Sequence, residues 1–243
     1  MQVRKAYSPE MRVQKKLRDR AQAVYGILAP LWPDAKPLLA YKDSFELVCA
    51  VALSAQCTDE QVNRATPALF AAWPNPTAMA RADPLEVEAV IRSLGFFRVK
   101  ARHLVEAARI IEDRFGGRVP GTMEGLLELP GVGRKTANLV LSACFGQPGL
   151  IVDTHVLRTC LRLGLGDKDD ATYMEMRLAE LLPSEEWTRF SYAVNRHGKF
   201  ICRARKPACV FGSGLAPCPL IELCPRYGLD GGEFRRSTLP RAY

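Results

Sequence analysis

Three features of this sequence predict an all-α fold. Apolar residues recur at helical spacing along nearly every segment. Helix-start and helix-stop residues bracket those segments, and no run alternates apolar and polar side chains at strand length. Ser8-Pro9-Glu10 opens the first helix with a capping hydroxyl, a first-turn proline and an acid near the positive end, and amphipathic spacing carries it to about Leu31. A second apolar helix spans about Phe45–Ala55, and Thr58 or Asp59 caps a third that ends near Trp73. Asp83-Pro84-Leu85-Glu86 supplies an N-cap, an N1 proline and the reciprocal acid of a capping box, with Gly95 as the C′ glycine that ends this helix. Leu104, Ala108, Ile111 and Phe115 share one side of a helix over Arg98–Phe115, which Gly116-Gly117 stops. A short helix over about Thr122–Leu129 meets Pro130-Gly131-Val132-Gly133, and Lys135–Phe145 is helical again. Further helices are expected near Thr154–Leu163, Ala171–Leu182 and Glu185–Arg196. Leu150–Asp153 reads as extended but is too short for a sheet, and the tail from Tyr227, with Gly231-Gly232 and Arg235-Arg236, reads as flexible.

The composition narrows the class. A chain of 243 residues with 48% hydrophobic and 25% charged residues buries a real core, which argues against a disordered chain, a collagen or a disulfide-knotted mini-protein. No apolar run reaches the roughly 18 residues of a membrane helix. Met11–Arg20 is charged where a signal peptide would be apolar, so an intracellular protein is expected. Thirty-four Lys and Arg against 26 Asp and Glu leave a charge of +8, which attracts polyanions such as nucleic acid. Eight cysteines are unusual for such a chain: Cys49, Cys57, Cys144 and Cys160 sit in or beside apolar stretches and read as core thiols, while four others crowd the C-terminal region.

Three groups of residues carry chemistry. In Leu129-Pro130-Gly131-Val132-Gly133-Arg134-Lys135-Thr136-Ala137, a Gly-x-Gly turn between two helices can present backbone N–H groups to a phosphate at a helix N-terminus. Gly-x-Gly alone is as good a tight turn; the flanking Leu-Pro and Arg-Lys-Thr favour the phosphate-binding helix-hairpin-helix pattern. Lys135 stands in the first turn of a helix, where the positive potential and partial burial would favour a neutral, nucleophilic amine. The plainer alternative is a lysine on a phosphate. Asp153 precedes a helix and reads first as its N-cap. Cys202, Cys209, Cys218 and Cys224 can hold a [4Fe-4S] cluster or one zinc ion; no gap between them is as short as zinc pairs use, which leans toward iron–sulfur. Arg196, Lys199, Arg203, Arg205 and Lys206 form a basic run nearby, either a solvated face or a phosphate contact surface.

Leu129–Ala137, Val152-Asp153-Thr154-His155 and the four C-terminal cysteines together resemble the endonuclease III family of helix-hairpin-helix DNA glycosylases. Leu53-Ser54-Ala55-Gln56-Cys57-Thr58-Asp59 is similar to a family motif, and Gly95–Ala101 lies where the family has a DNA-facing loop. The likeness spans about Ser44 to Cys224, in the same order. It departs from the family where Val210–Pro217 puts eight residues between Cys209 and Cys218 instead of two, around Gly212-Ser213-Gly214, and where Phe96 replaces a frequent leucine.

The resemblance implies a two-lobed all-α glycosylase fold with an irregular iron–sulfur loop near the C-terminus. Residues 37–147 would form a six-helix barrel lobe, and residues 1–36 with 148–243 a discontinuous cluster lobe. It implies excision of oxidised pyrimidines from damaged double-stranded DNA and strand cleavage at the resulting abasic site. Lys135 would be the Schiff-base nucleophile and Asp153 its acid–base or charge-stabilising partner. Gln56 would fill the vacated space, Phe96 would wedge against neighbouring bases, and Gly131, Val132, Gly133, Arg134, Thr136, His155 and Lys199 would contact DNA. Cys202, Cys209, Cys218 and Cys224 would hold a structural [4Fe-4S] cluster. The expected protein is a monomer in the cytoplasm (nucleoid-associated if bacterial), with no membrane and no nucleotide cofactor. Two other readings are a sister monofunctional mismatch glycosylase, against which Lys135 argues, and a non-catalytic DNA-binding or redox-sensing iron–sulfur protein, against which Lys135 and Asp153 argue together.

Overall fold

The computed structural model describes residues 9–210 and 217–229, so Ser8, the Gly212-Ser213-Gly214 stretch and the tail beyond residue 229 lie outside the described residues. Among the described residues every regular element is helical. Two compact units emerge. One is Lys36–Gly149, and the other joins the described residues up to Ala35 with those from Leu150 onward.

The Lys36–Gly149 unit holds α2 (Ser44–Leu53), α3 (Asp59–Ala72), α4 (Pro76–Ala80), α5 (Pro84–Val90), α6 (Phe97–Phe115), α7 (Met123–Leu127) and α8 (Arg134–Cys144). Helix α2 is buried nearly all round, so it forms the centre against which α3, α6 and α8 pack. Its one buried acid, Glu46, accepts from the Lys42 N–H, and Asp43 caps the helix at the Glu46 N–H. Helix α6, with Leu104, Ala108 and Ile111 buried, packs against α4 and α5. A reciprocal capping box forms at Thr58 and Gln61, whereas the one expected at Asp83 and Glu86 does not form, because Asp83 caps the Leu85 N–H alone.

Two expectations need correction here. The short α4 was not anticipated, although Asn75-Pro76 carries an N-cap and an N1 proline. Helix α5 stops at Val90, well before Gly95; turns follow, and Gly95 does not serve as a left-handed C′ residue.

Gly149 closes this unit under a tight constraint: a Cβ there would lie 2.6 Å from the Asn138 carbonyl oxygen of α8. Gly149→Ala is therefore expected to cost about 2 kcal/mol and lower the melting temperature by roughly 4–8 °C. Calorimetry checks this, and an unchanged melting point would mean that the segment is not pressed on α8.

The second unit contains α1 (Pro9–Leu31), α9 (Thr154–Arg162), α10 (Ala171–Leu181) and α11 (Trp187–Phe200), with a 3-10 turn at Ser184–Glu186 before α11. Leu17, Ala21, Val24 and Leu28 form the inward stripe of α1. They pack with Val156 and Cys160 of α9, Met174 and Leu178 of α10, and Phe190 and Val194 of α11. Leu150–Asp153 forms no strand; the Ile151 N–H donates to Ser191 Oγ at 3.0 Å. Beyond α11 the described residues of the cysteine-bearing segment form no helix or strand, and Cys218 and Leu220 belong to the same core.

Candidate functional site

In the Lys36–Gly149 unit, the chain leaves α7 and turns through Pro130 and Gly131 into α8, closed by a Val132 N–H to Leu129 carbonyl bond of 3.0 Å. Gly131 adopts φ +81, and a Cβ there would come 3.3 Å from His103 Nδ1, so this turn presses against α6 as only glycine allows. Gly133 is the N-cap of α8 and has no side chain with which to cap it. The first-turn N–H groups therefore lie at the positive end of an 11-residue helix without a side-chain cap, an arrangement suited to a phosphate. Val132 and Thr136 are buried, while Gly131, Gly133, Arg134 and Lys135 are exposed. The partial burial expected of Lys135 is not found, because α8 begins at Arg134 and enters the core only from Thr136.

Two further side chains of this unit stand out. Gln56 and Phe96 have left-handed backbones, with φ 55 and φ 57. For non-glycine residues this costs roughly 1–2 kcal/mol each. Both are exposed, Phe96 to 65%. A Cβ on Gly95 would lie 3.9 Å from Cys57 Sγ and 4.0 Å from the Gln56 carbonyl, so the two strained turns adjoin. Lys100, only 7% exposed, ties them further by donating from Nζ to Cys57 Sγ at 3.1 Å. Cys57 and Cys144 are half-buried, unlike the fully buried Cys49 and Cys160, so the core-thiol expectation holds for the latter pair alone.

In the second unit, Asp153 is the N-cap of α9. Its Oδ1 accepts the His155 and Val156 N–H groups at 2.9 and 2.8 Å. Its Oδ2 accepts from Asn195 Nδ2 at 2.6 Å. His155 is half-buried, with Nδ1 3.3 Å from Arg158 Nη2, and Lys199 is half-buried in the last turn of α11.

Cys202, Cys209, Cys218 and Cys224 line one small cavity that is partly open to solvent. Arg162, itself buried, organises its wall: Nη1 donates to Cys202 Sγ at 3.3 Å and to the Arg203 carbonyl at 2.8 Å, and Nη2 donates to the Ala204 carbonyl at 3.1 Å. Burial pushes the Cys218 thiol up to about 11 and raises Cys224 above its ordinary value, so both keep their protons unless a cation replaces them. Burial also holds His197, whose Nε2 lies 3.9 Å from Cys218 Sγ, down at about 4 and therefore neutral. Although one cavity gathers the four sulfurs, no three His, Cys, Asp or Glu side chains among the described residues converge closely enough to hold a single metal ion. Arg203, Arg205 and Lys206 are exposed beside this cavity.

Residues 49–184 match the family model described as HhH-GPD superfamily base excision DNA repair protein. Endonuclease III of Synechocystis sp. is 46% identical over 209 residues, covering 86% of this chain and 93% of that relative. This chain belongs to the endonuclease III family. The Bacillus subtilis endonuclease III is 40% identical, with 81% of this chain and 88% of the relative covered. A solved endonuclease III–DNA complex, trapped as a covalent intermediate, matches with a TM-score of 0.78 at 37% identity, covering 88% of this chain and 96% of that one. A thermostable thymine-DNA glycosylase, at 24% identity and a TM-score of 0.74, shares the fold. No described helix of this endonuclease III family member is long and apolar enough to cross a membrane. Sequence reasoning missed Lys100, Arg162 and Asn195, because each acquires its role from a partner 40 or more residues away.

Proposed function

We propose that the protein removes oxidised pyrimidines from duplex DNA and then cleaves the strand at the abasic site by β-elimination. The observation that carries this reading is the exposed amine of Lys135 on the second residue of α8, directly after the uncapped Gly131–Gly133 turn. A phosphate seated on that helix N-terminus would bring a sugar within reach of Lys135, with Gly131, Val132, Gly133, Arg134 and Thr136 supplying backbone or side-chain contacts. The covalent DNA intermediate of the 37% identical relative supports the same chemistry.

A base inside a duplex is out of reach, so its nucleotide must be flipped out at a cost of a few kcal/mol. Gln56 is assigned to the vacated space and Phe96 to the neighbouring bases, which would account for two exposed side chains held in left-handed backbone. Neutral Lys135 attacks C1′; the C1′–N bond breaks, and the departing base takes up a proton. The C1′–O4′ bond then breaks, with O4′ taking the proton lost by the amine, to leave a protonated Schiff base that acidifies C2′; loss of the C2′ proton expels the 3′ phosphate, and water hydrolyses the remaining imine to free Lys135. Asp153 accepts a proton from the amine or stabilises the positive charge, and His155 and Lys199 are assigned to phosphates.

Cys202, Cys209, Cys218 and Cys224 are proposed to hold a [4Fe-4S] cluster. The four cysteines share one cavity, and no gap between them in sequence is as short as zinc pairs use, which supports the cluster over one zinc ion. The bound cluster would cross-link the irregular segment and so present Arg203, Arg205 and Lys206 to the DNA backbone. The protein is proposed to act as a monomer, without a nucleotide cofactor, in the compartment that holds the DNA.

Borohydride trapping tests this reading. Incubation with a duplex carrying an oxidised pyrimidine, followed by reduction, is expected to give a covalent protein–DNA adduct whose cross-linked peptide contains Lys135. Absence of an adduct from a folded, duplex-binding protein, on both that substrate and an abasic site, would sink the Schiff-base mechanism.

A further inference from the structure

Asp153 is held more completely than an N-cap requires. A carboxylate offers about four lone-pair sites. Two on Oδ1 take the His155 and Val156 N–H groups, which already satisfies the start of α9. Asn195 takes one on Oδ2, at 2.6 Å. A carboxylate only accepts, so the atom of Asn195 that faces it is the amide nitrogen. Asn195 Oδ1 in turn accepts from Arg196 Nη1 at 3.4 Å, which is consistent with that orientation.

The contact depends on how closely α11 approaches α9. Gly198 lies three residues after Asn195, on the same side of α11. A Cβ at Gly198 would come 2.8 Å from both the His155 carbonyl oxygen and Thr159 Oγ1. Without a side chain there, α11 rests directly on the first turn of α9, and Arg158 Nη2 clamps the Gly198 carbonyl at 2.7 Å. That close seat is what lets the short Asn195 side chain reach Oδ2.

We propose that Asn195 is a positioning residue for excision: it holds Oδ2 of Asp153 as an acceptor and fixes the direction of the carboxylate's one remaining lone pair. This rests on the reading of Asp153 as the acid–base or charge-stabilising partner of Lys135. It assigns the two oxygens different work, since Oδ1 starts the helix and Oδ2 serves the reaction. Because the cap stands without Asn195, its removal should disturb the rate far more than the fold.

The test is single-turnover excision from a duplex carrying one oxidised pyrimidine, measured from pH 5 to 9 with the full-length holoprotein. Asn195→Ala is expected to slow excision between about tenfold and a hundredfold, as a small misplacement of a reacting group does. Affinity for a duplex with a non-cleavable abasic analogue should stay unchanged. Asn195→Ser, which keeps a shorter donor, should recover part of the rate. Asn195→Asp sets a second carboxylate against Asp153, and the shared proton should move the acid limb of the profile up by about one pH unit or more.

Asp153→Asn is the control, because asparagine caps a helix as well as aspartate does and leaves the start of α9 intact. If Asp153→Asn is inactive while the Asn195→Ala and Asn195→Asp variants keep the wild-type rate and profile, the positioning role is overturned and the reading of Asp153 stands. Wild-type excision by Asp153→Asn overturns both. Should Asn195→Ala fail to fold, the serine and aspartate variants decide by the same measurements.

Discussion

Lys135→Ala is expected to lower single-turnover base excision by at least about a thousandfold, which corresponds to roughly 4 kcal/mol of barrier, and to abolish strand cleavage. The substitution suits the purpose. Lys135 is exposed on the first turn of α8, and the inward residues Thr136, Ala137 and Val140 are untouched by its removal. Alanine is the best helix former, so α8 itself should not suffer. The melting temperature should stay within a degree or two, and duplex affinity should fall only by the share of one lysine. A variant that binds and melts like wild type yet yields neither free base nor cleaved strand isolates the nucleophile. Undiminished excision in this variant would instead point to a water-activated, monofunctional glycosylase.

Cys202→Ala should have the largest effect on stability. Cys202 is buried against the cavity, and its sulfur accepts from Arg162 Nη1 at 3.3 Å. Among the described residues the segment around it has no helix beyond α11, so a shared ligand group is what would hold the four cysteines in place. Loss of one thiolate is expected to bleach the brown colour that the proposed cluster would give and to remove several kcal/mol of stability. At about 2–4 °C per kcal/mol for a chain of this size, the melting temperature should drop on the order of 10 °C. Duplex affinity should weaken as well, as Arg203, Arg205 and Lys206 lose their support. Cys49→Ala, deep in α2 and far in sequence from the cavity, should leave the colour intact. A colourless wild-type protein that contains zinc would refute the iron–sulfur assignment.

How far the sequence disclosed this architecture depends on the range of the forces involved. Helices announce themselves through local chemistry: Asp43, Thr58, Asp83, Asp153 and Asp170 each cap the backbone a few residues on, and such caps can be read without a partner. The same rules reach α4 through Asn75-Pro76, but its five residues carry too little periodicity to register. The position of Gly95 is a different kind of failure. A glycine after an apolar stretch reads as a helix stop, yet α5 ends at Val90 and Gly95 instead lets the Phe96 turn approach the Gln56 turn. Left-handed backbone at Gln56 and Phe96 has no local signal, since neither residue favours it. The Asn195–Asp153 bond spans 42 residues and exists only once α11 is seated on α9. The cysteine cavity was legible for the opposite reason, because four thiols in an irregular, proline-rich segment have little else to fold around.

The two left-handed turns also bear on how this protein can adapt to heat. At Gln56 and Phe96 the backbone sits where glycine is comfortable and a side chain is not. Relaxing either position by mutation to glycine would relieve that strain and, in the same stroke, delete a side chain assigned to probing the duplex. If the proposed roles hold, thermal robustness and lesion search compete at these two residues. A lineage under selection for a hotter habitat would have to find its gains elsewhere, in surface charge networks or shorter loops, and keep paying the strain at the reading head.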